Sequence, residues 1–220
     1  MPYEIVQASE SGSFPSPHPF LDQAAAQGEG RFYLGADAGE AYRNGDGHAS
    51  LTFVAIELDT ECLGTHTGER RGLEGSNVVG FARFRLGDGD PSPLVELVRQ
   101  PGTDAAALAG ARAAFEAAGL VVAVCNDFPG RIVDRLIRPY FNAALIRLDE
   151  KLASADDLDK TLCLGLGYPE GPISLLERTG LAQHFRVTQA LYEALGQEPY
   201  APARRARVAA NRDAVAGREL

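Results

Sequence analysis

Three things are scarce in this sequence of 220 residues: positive charge, cysteine and long apolar runs. The 21 Lys and Arg are outnumbered by 30 Asp and Glu, and the formal net charge is −9. This balance excludes a nucleic-acid-binding protein, because phosphate contacts need a surplus of basic side chains. No run reaches the roughly 18 apolar residues of a membrane span. Residues 1–13 lack a basic segment followed by an apolar one, so we expect no secretory signal and a cytoplasmic protein.

The three cysteines are Cys62, Cys125 and Cys163, an odd number at wide spacings. Such a pattern is typical neither of a metal site nor of a disulfide framework, so we predict no metal centre. Apolar residues make up 45% of the chain and charged residues 23%. These are ordinary values for a globular protein with a buried core.

Strand patterns dominate the first part of the chain. Apolar, partly β-branched runs there predict strands, and an alanine-rich segment predicts a helix. The predicted strands are 31–35, 51–58, 77–84, 93–100 and 120–126, and the predicted helices are 21–27 and 103–119. Since a strand, a helix and another strand follow one another over 93–126, we expect a parallel α/β unit there.

After residue 126 the strand pattern stops. Residues 131–152 place apolar side chains on one helical face and charges on the other. Ser154 and Asp157 have the spacing of a cap that opens a second helix. Further helices are predicted at 173–180 and 181–196. We therefore predict an α/β domain over residues 1–126 and an all-helical domain over residues 127–220.

The stretch GLGYPEGP at 165–172 raises the question of a phosphate-binding loop. A dinucleotide loop needs G-x-G-x-x-G between a strand and a helix, whereas here the glycine spacing differs and a helix pattern precedes the stretch. Pro169 and Pro172 would also remove two backbone donors. We predict instead a turn between two helices, with Gly165 or Gly167 ending the first and Pro172 beginning the second.

Three stretches together resemble the 3-hydroxyacyl-CoA dehydrogenases. Residues 158–181, LDKTLCLGLGYPEGPISLLERTGL, are similar to the family's C-terminal domain with its G-x-G-x-P-x-G-P turn. Residues 121–145, VVAVCNDFPGRIVDRLIRPYFNAAL, resemble its D-x-P-G-F turn and long first helix, and residues 77–119 resemble the end of its NAD domain. The resemblance extends over about residues 51–200. It implies a truncated member, with a reduced Rossmann-like parallel sheet followed by a helical domain.

The resemblance implies a reaction and the residues that would carry it. In the family, a His oriented by a Glu removes the proton of the 3-hydroxyl while hydride passes to NAD, since an imidazole with a near-neutral pKa is a good general base. The Glu corresponds to Glu96 in LVELV, whereas the His position falls on Ala82 in GFARF. The family's Asn corresponds to Asp134, and its serine stretch becomes DTECL, which contains Glu61 and Cys62. No glycine-rich loop has the family's spacing; the nearest glycines, in GEGRFYLG, are spaced differently.

These losses predict a catalytically degenerate protein, a pseudoenzyme with no cofactor. We expect it to act as an acyl-CoA-binding or dimeric partner module. A homodimer through the helical domain is expected because long amphipathic helices need a partner to cover their apolar faces. The tail from residue 202 to residue 220, which contains five arginines, predicts a solvated helix or a contact with the phosphates of a CoA-like ligand.

Two alternatives remain open. The chain could be an active NAD(P)-dependent 3-hydroxyacyl-CoA oxidoreductase with relocated residues. His66, Glu96 and Asp134 would then be catalytic, and Glu61, Cys62 and Asp134 would hold the substrate. Alternatively, it could be a structural subunit of a dehydrogenase complex.

Two further side chains receive structural assignments from sequence. His184 is expected at an interface or on the surface. Asp127 is expected to cap the long helix that follows it.

Overall fold

The structure is a computed structural model of the chain, and it describes residues 1–216. The chain forms two compact units. The first comprises Met1–Arg85 and Pro91–Ile132, and the second comprises Leu86–Asp90 and the chain from Val133 onward. A six-stranded sheet lies in the first unit, and the described part of the second contains helices and no strand. The predicted fold class, a reduced Rossmann-like α/β part followed by helices, is confirmed.

The six strands form one sheet in the order in which they follow one another along the chain. They are β1 Tyr3–Gln7, β2 Gly30–Leu34, β3 Phe53–Glu57, β4 Val78–Arg83, β5 Leu94–Arg99 and β6 Val121–Asn126. All neighbouring strands are parallel except β4 and β5, which are antiparallel. The predicted parallel unit over 93–126 is confirmed as β5, the α-helix Ala105–Ala117 and β6.

The first fifty residues are more regular than the sequence predicts. Strand β1 pairs with β2 along its whole length, yet its polar Glu4 and Gln7 hide it from a search for apolar runs. The predicted helix over 21–27 is a single turn, α1 Pro19–Asp22. Helix α2, Ala38–Asn44, is not predicted at all. These short elements depend on their neighbours in the sheet, and such tertiary context overrides local pattern.

Phenylalanine rings fill the core on one face of the sheet. Phe115 lies on helix α4, Ala105–Ala117, which connects β5 to β6; the short helix α3, Gly64–Thr67, precedes it in the chain. Its ring is fully buried, with its centroid 5.0 Å from Phe20 in a stacked arrangement and 5.1 Å from Phe32 edge to face. Small residues along α4, including the buried Ala107 and Ala111, allow the helix to approach the sheet closely. The same cluster also contains Phe14, Phe53 and Phe81.

Besides a short 3-10 helix, Glu198–Tyr200, the described part of the second unit contains five α-helices, the first of which begins with a residue of the α/β unit. They are α5 Ile132–Asp149, α6 Ala155–Leu166, α7 Pro172–Thr179, α8 Leu181–Leu195 and α9 Arg204–Ala216. Ser154 caps α6 by accepting the N–H of Asp157, as predicted. No helix within residues 1–216 is long and apolar enough to cross a membrane.

The glycine-rich stretch is a turn between α6 and α7, which confirms its predicted structural role. Gly167 ends α6 in the left-handed region, with φ 72°, and Pro172 begins α7. The carboxylate of Asp159 accepts the N–H groups of Ile173 and Ser174 at 2.9 and 2.8 Å. A Cβ on Gly171 would lie 2.2 Å from that carboxylate, so glycine is required there. The donors at the start of α7 are thus used within the chain.

A hydrogen-bond network of buried polar side chains lies in the interior of the helical unit. The prediction of His184 at an interface or on the surface is wrong, because it is 1% exposed. Its Nδ1 accepts from Arg138 Nη1 at 3.2 Å, and its Nε2 donates to Asn142 Oδ1 at 3.0 Å. Asn142 donates in turn to Thr188, whose hydroxyl donates to the carbonyl of Tyr200. Burial, followed by the charge of Arg138, lowers the pKa of His184 to about 3, so this imidazole is neutral.

Candidate functional site

Ala82 and Glu96 are register partners on the antiparallel strands β4 and β5. Opposed residues of such a pair point to the same face of the sheet, so a methyl group lies beside the carboxylate. Glu96 is 3% exposed, and its Oε1 accepts the N–H of Ile132, the first residue of α5, at 2.7 Å. Helix starts leave N–H groups without partners, and a carboxylate there is also favoured by the helix dipole. Glu96 therefore anchors the start of a helix.

His66 and Glu61, two of the predicted site residues, lie side by side. His66 Nε2 and Glu61 Oε1 are 3.3 Å apart. On the other side of the ring, Arg43 Nη1 lies 2.7 Å from His66 Nδ1. Because a guanidinium only donates, Nδ1 must be the acceptor and Nε2 must carry the proton that Glu61 accepts. The lone pair that a general base would use is thus occupied by Arg43.

The Glu61 carboxylate is charged in this arrangement. Burial raises its pKa, but this effect is outweighed by the hydrogen bond from His66, a backbone hydrogen bond and the charge of Arg131, so the pKa falls below its usual value. The guanidinium of Arg131, itself 4% exposed, donates to the Glu61 carbonyl at 3.1 Å. Glu61 thus acts as an acceptor that holds the segment around α3 in place.

Cys62 follows Glu61 in the chain and lies near the Asp127 carboxylate, and its role in holding a substrate stays a prediction. Burial, with the nearby Asp127 carboxylate, raises the pKa of Cys62 to about 11, so the thiol is not a nucleophile at neutral pH. The prediction that Asp127 caps the long helix α5 is wrong. Its carboxylate accepts the N–H groups of Leu63 and Gly64 at 2.7 and 2.8 Å, and thereby caps α3. The sequence distance of more than sixty residues hides this contact from local pattern.

Asp134 lies in the helical unit and pairs with a buried arginine. Its Oδ1 accepts from Arg138 Nε at 2.7 Å, one helical turn further along α5. Arg138 also donates to His184, so Asp134 is the outer end of the hydrogen-bond network described above. A direct role of Asp134 in binding a substrate stays a prediction.

The chain has four histidines, and each makes a structural contact. His18 accepts the N–H of Phe20 at the start of α1, and the His48 ring stacks on Tyr42 at 4.7 Å between centroids. His66 is held by Arg43 and Glu61, and His184 is buried. Within residues 1–216, no three His, Cys, Asp or Glu side chains are grouped as metal ligands.

Sequence reasoning missed Glu57, the last residue of β3. All five residues of this strand are buried, and Glu57 is 7% exposed. Its carboxylate accepts hydrogen bonds from Ser11, Ser13 and Gly35. An acidic residue within an otherwise apolar run predicted as a strand, TFVAIEL, could have drawn attention to this position.

Comparison with known proteins finds sequences similar to the helical unit. The sequence pattern of the 3-hydroxyacyl-CoA dehydrogenase C-terminal domain matches residues 130–216. Residues 130–216 are therefore similar to the C-terminal domain of this family. A 3-hydroxybutyryl-CoA dehydrogenase of Bradyrhizobium diazoefficiens is 35% identical over 109 residues, which cover 50% of this chain and 37% of the relative. The human mitochondrial hydroxyacyl-coenzyme A dehydrogenase is 38% identical over 88 residues, which cover 40% and 28%.

Solved structures of similar fold extend over more of the chain. The (S)-3-hydroxybutyryl-CoA dehydrogenase of Ralstonia eutropha matches with a TM-score of 0.61 and 27% identity, over 72% of this chain and 56% of that one. FadB2 of M. tuberculosis has a TM-score of 0.67 at 21% identity, over 86% and 67%, and shows the likeness of the fold. The chain thus spans well under half the length of the two curated relatives above, with 37% and 28% covered.

Proposed function

We propose that this chain is a catalytically degenerate member of the 3-hydroxyacyl-CoA dehydrogenase family and acts as an acyl-CoA-binding or dimeric partner module. One observation carries the proposal: Ala82 lies opposite Glu96, and Glu96 accepts the N–H of Ile132 at the start of a helix. A methyl group cannot take a proton from a hydroxyl. Loss of a general base alone typically lowers a rate by about 10²- to 10⁴-fold.

The structural contacts of the four histidines support the same proposal. A histidine that replaced the missing base would need a ring nitrogen with a free lone pair and a pKa near neutral. His66 is the candidate that sequence favours, and Arg43 already donates to its Nδ1. An active oxidoreductase with His66 as base is therefore the less favoured function.

Ligand titration of the intact chain tests the proposal. We expect acetoacetyl-CoA to bind, NADH not to bind, and no NADH oxidation when both are present. Ala82→His should leave NADH oxidation at background, because an imidazole opposite Glu96 does not supply a cofactor site. Isothermal titration calorimetry and absorbance at the nicotinamide band measure these outcomes.

Other outcomes of the titration would support the alternatives. Tight NADH binding by the unmodified chain contradicts the proposal, and NADH oxidation that is lost in His66→Ala establishes the relocated active site. Binding of neither ligand, together with co-purification of a full-length dehydrogenase, favours a structural subunit.

Exposed apolar side chains in the helical unit support the homodimer. Leu152 is 67% exposed, Leu164 79% and Leu166 67%. Leu152 also lines a groove of about 430 Å³ between α5 and α6. Most of the residues that line it are apolar, among them Tyr140, Ala143, Ala144, Leu158 and Leu162, and Arg147, Asp157 and Thr161 complete the lining. Exposed apolar side chains beside a mainly apolar groove are typical of an interaction site, which supports the proposed dimer.

A charge in this groove should break the dimer. We expect Leu152→Glu to shift the chain from dimer to monomer in sedimentation velocity, because an unpaired carboxylate would have to be buried at the interface. Leu73→Glu is the matched control, since Leu73 is 80% exposed but lies in the α/β unit. A dimer that survives Leu152→Glu, or one that Leu73→Glu disrupts equally, contradicts an interface at this groove.

A further inference from the structure

Glu57 ends the central strand β3 and places a carboxylate at the carboxyl edge of the parallel strands. The Ser11 hydroxyl donates to its Oε2 at 2.7 Å, and the Gly35 N–H donates to the same oxygen at 2.6 Å. The Ser13 N–H donates to Oε1 at 2.6 Å. All three distances are typical of strong hydrogen bonds to an ionised acceptor.

These donors come from two separate loops that converge on one point. Ser11 and Ser13 lie in the loop after β1, and Gly35 follows β2 directly. In open parallel sheets, ligands bind outside the carboxyl ends of the strands, and backbone N–H groups there form concavities that hold phosphate. In this chain the converging donors are used by the chain's own carboxylate.

The loops around Glu57 are tightly held. Arg83 donates to the Ser13 carbonyl at 2.7 Å and to the Ser92 carbonyl at 2.8 Å. Gly35 has φ 101°, and a Cβ there would lie 2.5 Å from the Ser9 carbonyl oxygen. Ser11 and Ser13 are each 2% exposed. The donors are therefore fixed in position around the carboxylate rather than free to turn towards a ligand.

We propose that Glu57 is an internal anion, whose carboxylate fills an oxyanion site at the carboxyl edge of β1, β2 and β3. A dinucleotide does not fit there, because its pyrophosphate would meet a buried negative charge and donors that already have an acceptor. The inference rests on the proposed function and deepens it, since it offers a physical reason for the expected lack of NAD binding.

Removal of the carboxylate should leave an empty site that a small oxyanion can occupy. We expect Glu57→Ala to lower the Tm of the α/β unit by on the order of 10 °C, because three buried donors lose their acceptor. Sodium acetate, compared with sodium chloride at equal ionic strength, should restore part of that loss. The unmodified chain should show no such acetate effect.

Two variants serve as controls. Glu4→Ala removes a carboxylate of the same unit that is 21% exposed and pairs with Arg31, and we expect no difference between acetate and chloride. Glu57→Gln keeps the shape but loses the charge and adds donors. It should be less stable than the unmodified chain and should not respond to acetate, because the amide fills the site.

Several results would overturn the inference. They are an equal acetate effect on Glu4→Ala, a Glu57→Gln variant as stable as the unmodified chain, and a Glu57→Ala variant whose stability or refolding yield acetate does not improve. These outcomes are separate from the proposed function, which fails if the unmodified chain binds NADH. The inference can therefore fail while the proposed function stands.

Discussion

Replacement of Phe115 by alanine is expected to lower the free energy of unfolding of the α/β unit by about 3 to 5 kcal/mol. The side chain is fully buried and touches the rings of Phe20, Phe32 and Phe81, with centroids 5.0 to 5.1 Å away. The variant loses both the apolar burial and the ring contacts, and it leaves a cavity that a close-packed core fills only in part. Urea unfolding followed by far-ultraviolet circular dichroism measures the change.

Phe128→Ala is the matched control for this prediction. Phe128 lies in the same unit but is 55% exposed, so the same change in chemistry should cost less than about 1 kcal/mol. If the two variants were equally stable, Phe115 would not form part of a close-packed core. The loss expected for Phe115→Ala would be a large part of the 5 to 15 kcal/mol that typically stabilises a domain.

Acid is expected to destabilise the helical unit through His184. Its pKa is lowered to about 3 in the folded chain, from an ordinary value of 6.5. Below pH 6.5 the unfolded chain binds a proton that the folded chain does not, so stability falls as the pH falls towards 3. The slope is about 1.4 kcal/mol per pH unit, which corresponds to a loss of about 2 kcal/mol between pH 6.5 and pH 4.5.

His184→Gln isolates this contribution, because glutamine does not titrate. We expect the variant to be less stable than the unmodified chain at pH 7, where the imidazole satisfies Arg138 and Asn142. The difference should shrink as the pH is lowered to 4.5. Urea unfolding of both proteins at pH 4.5, 5.5, 6.5 and 7.5 measures it. Parallel stability curves for the two proteins would contradict a buried neutral imidazole.

Local sequence patterns determined many of the helices, strands and turns of this protein. The alanine-rich segment predicted α4, and the apolar runs predicted β2 to β6, because burial on both faces of a parallel sheet requires continuous apolar residues. Gly167 and Pro172 predicted the turn between α6 and α7, since their backbone preferences are intrinsic. The motifs around residues 121–181 also predicted the similarity to the C-terminal domain of the 3-hydroxyacyl-CoA dehydrogenases. The absence of a base at position 82 follows from the sequence alone.

Only the tertiary structure decided what the polar side chains do. Asp127 caps α3 rather than α5, His66 donates to Glu61 while Arg43 occupies its other nitrogen, and Glu57 gathers donors from two loops. Each of these contacts joins groups that are distant in sequence or lie on different elements. Backbone preferences and hydrophobic periodicity act within a few residues, whereas a carboxylate finds its donors only after the chain has folded. That is why β2 to β6 could be predicted from the sequence, whereas the partners of Glu57 could not.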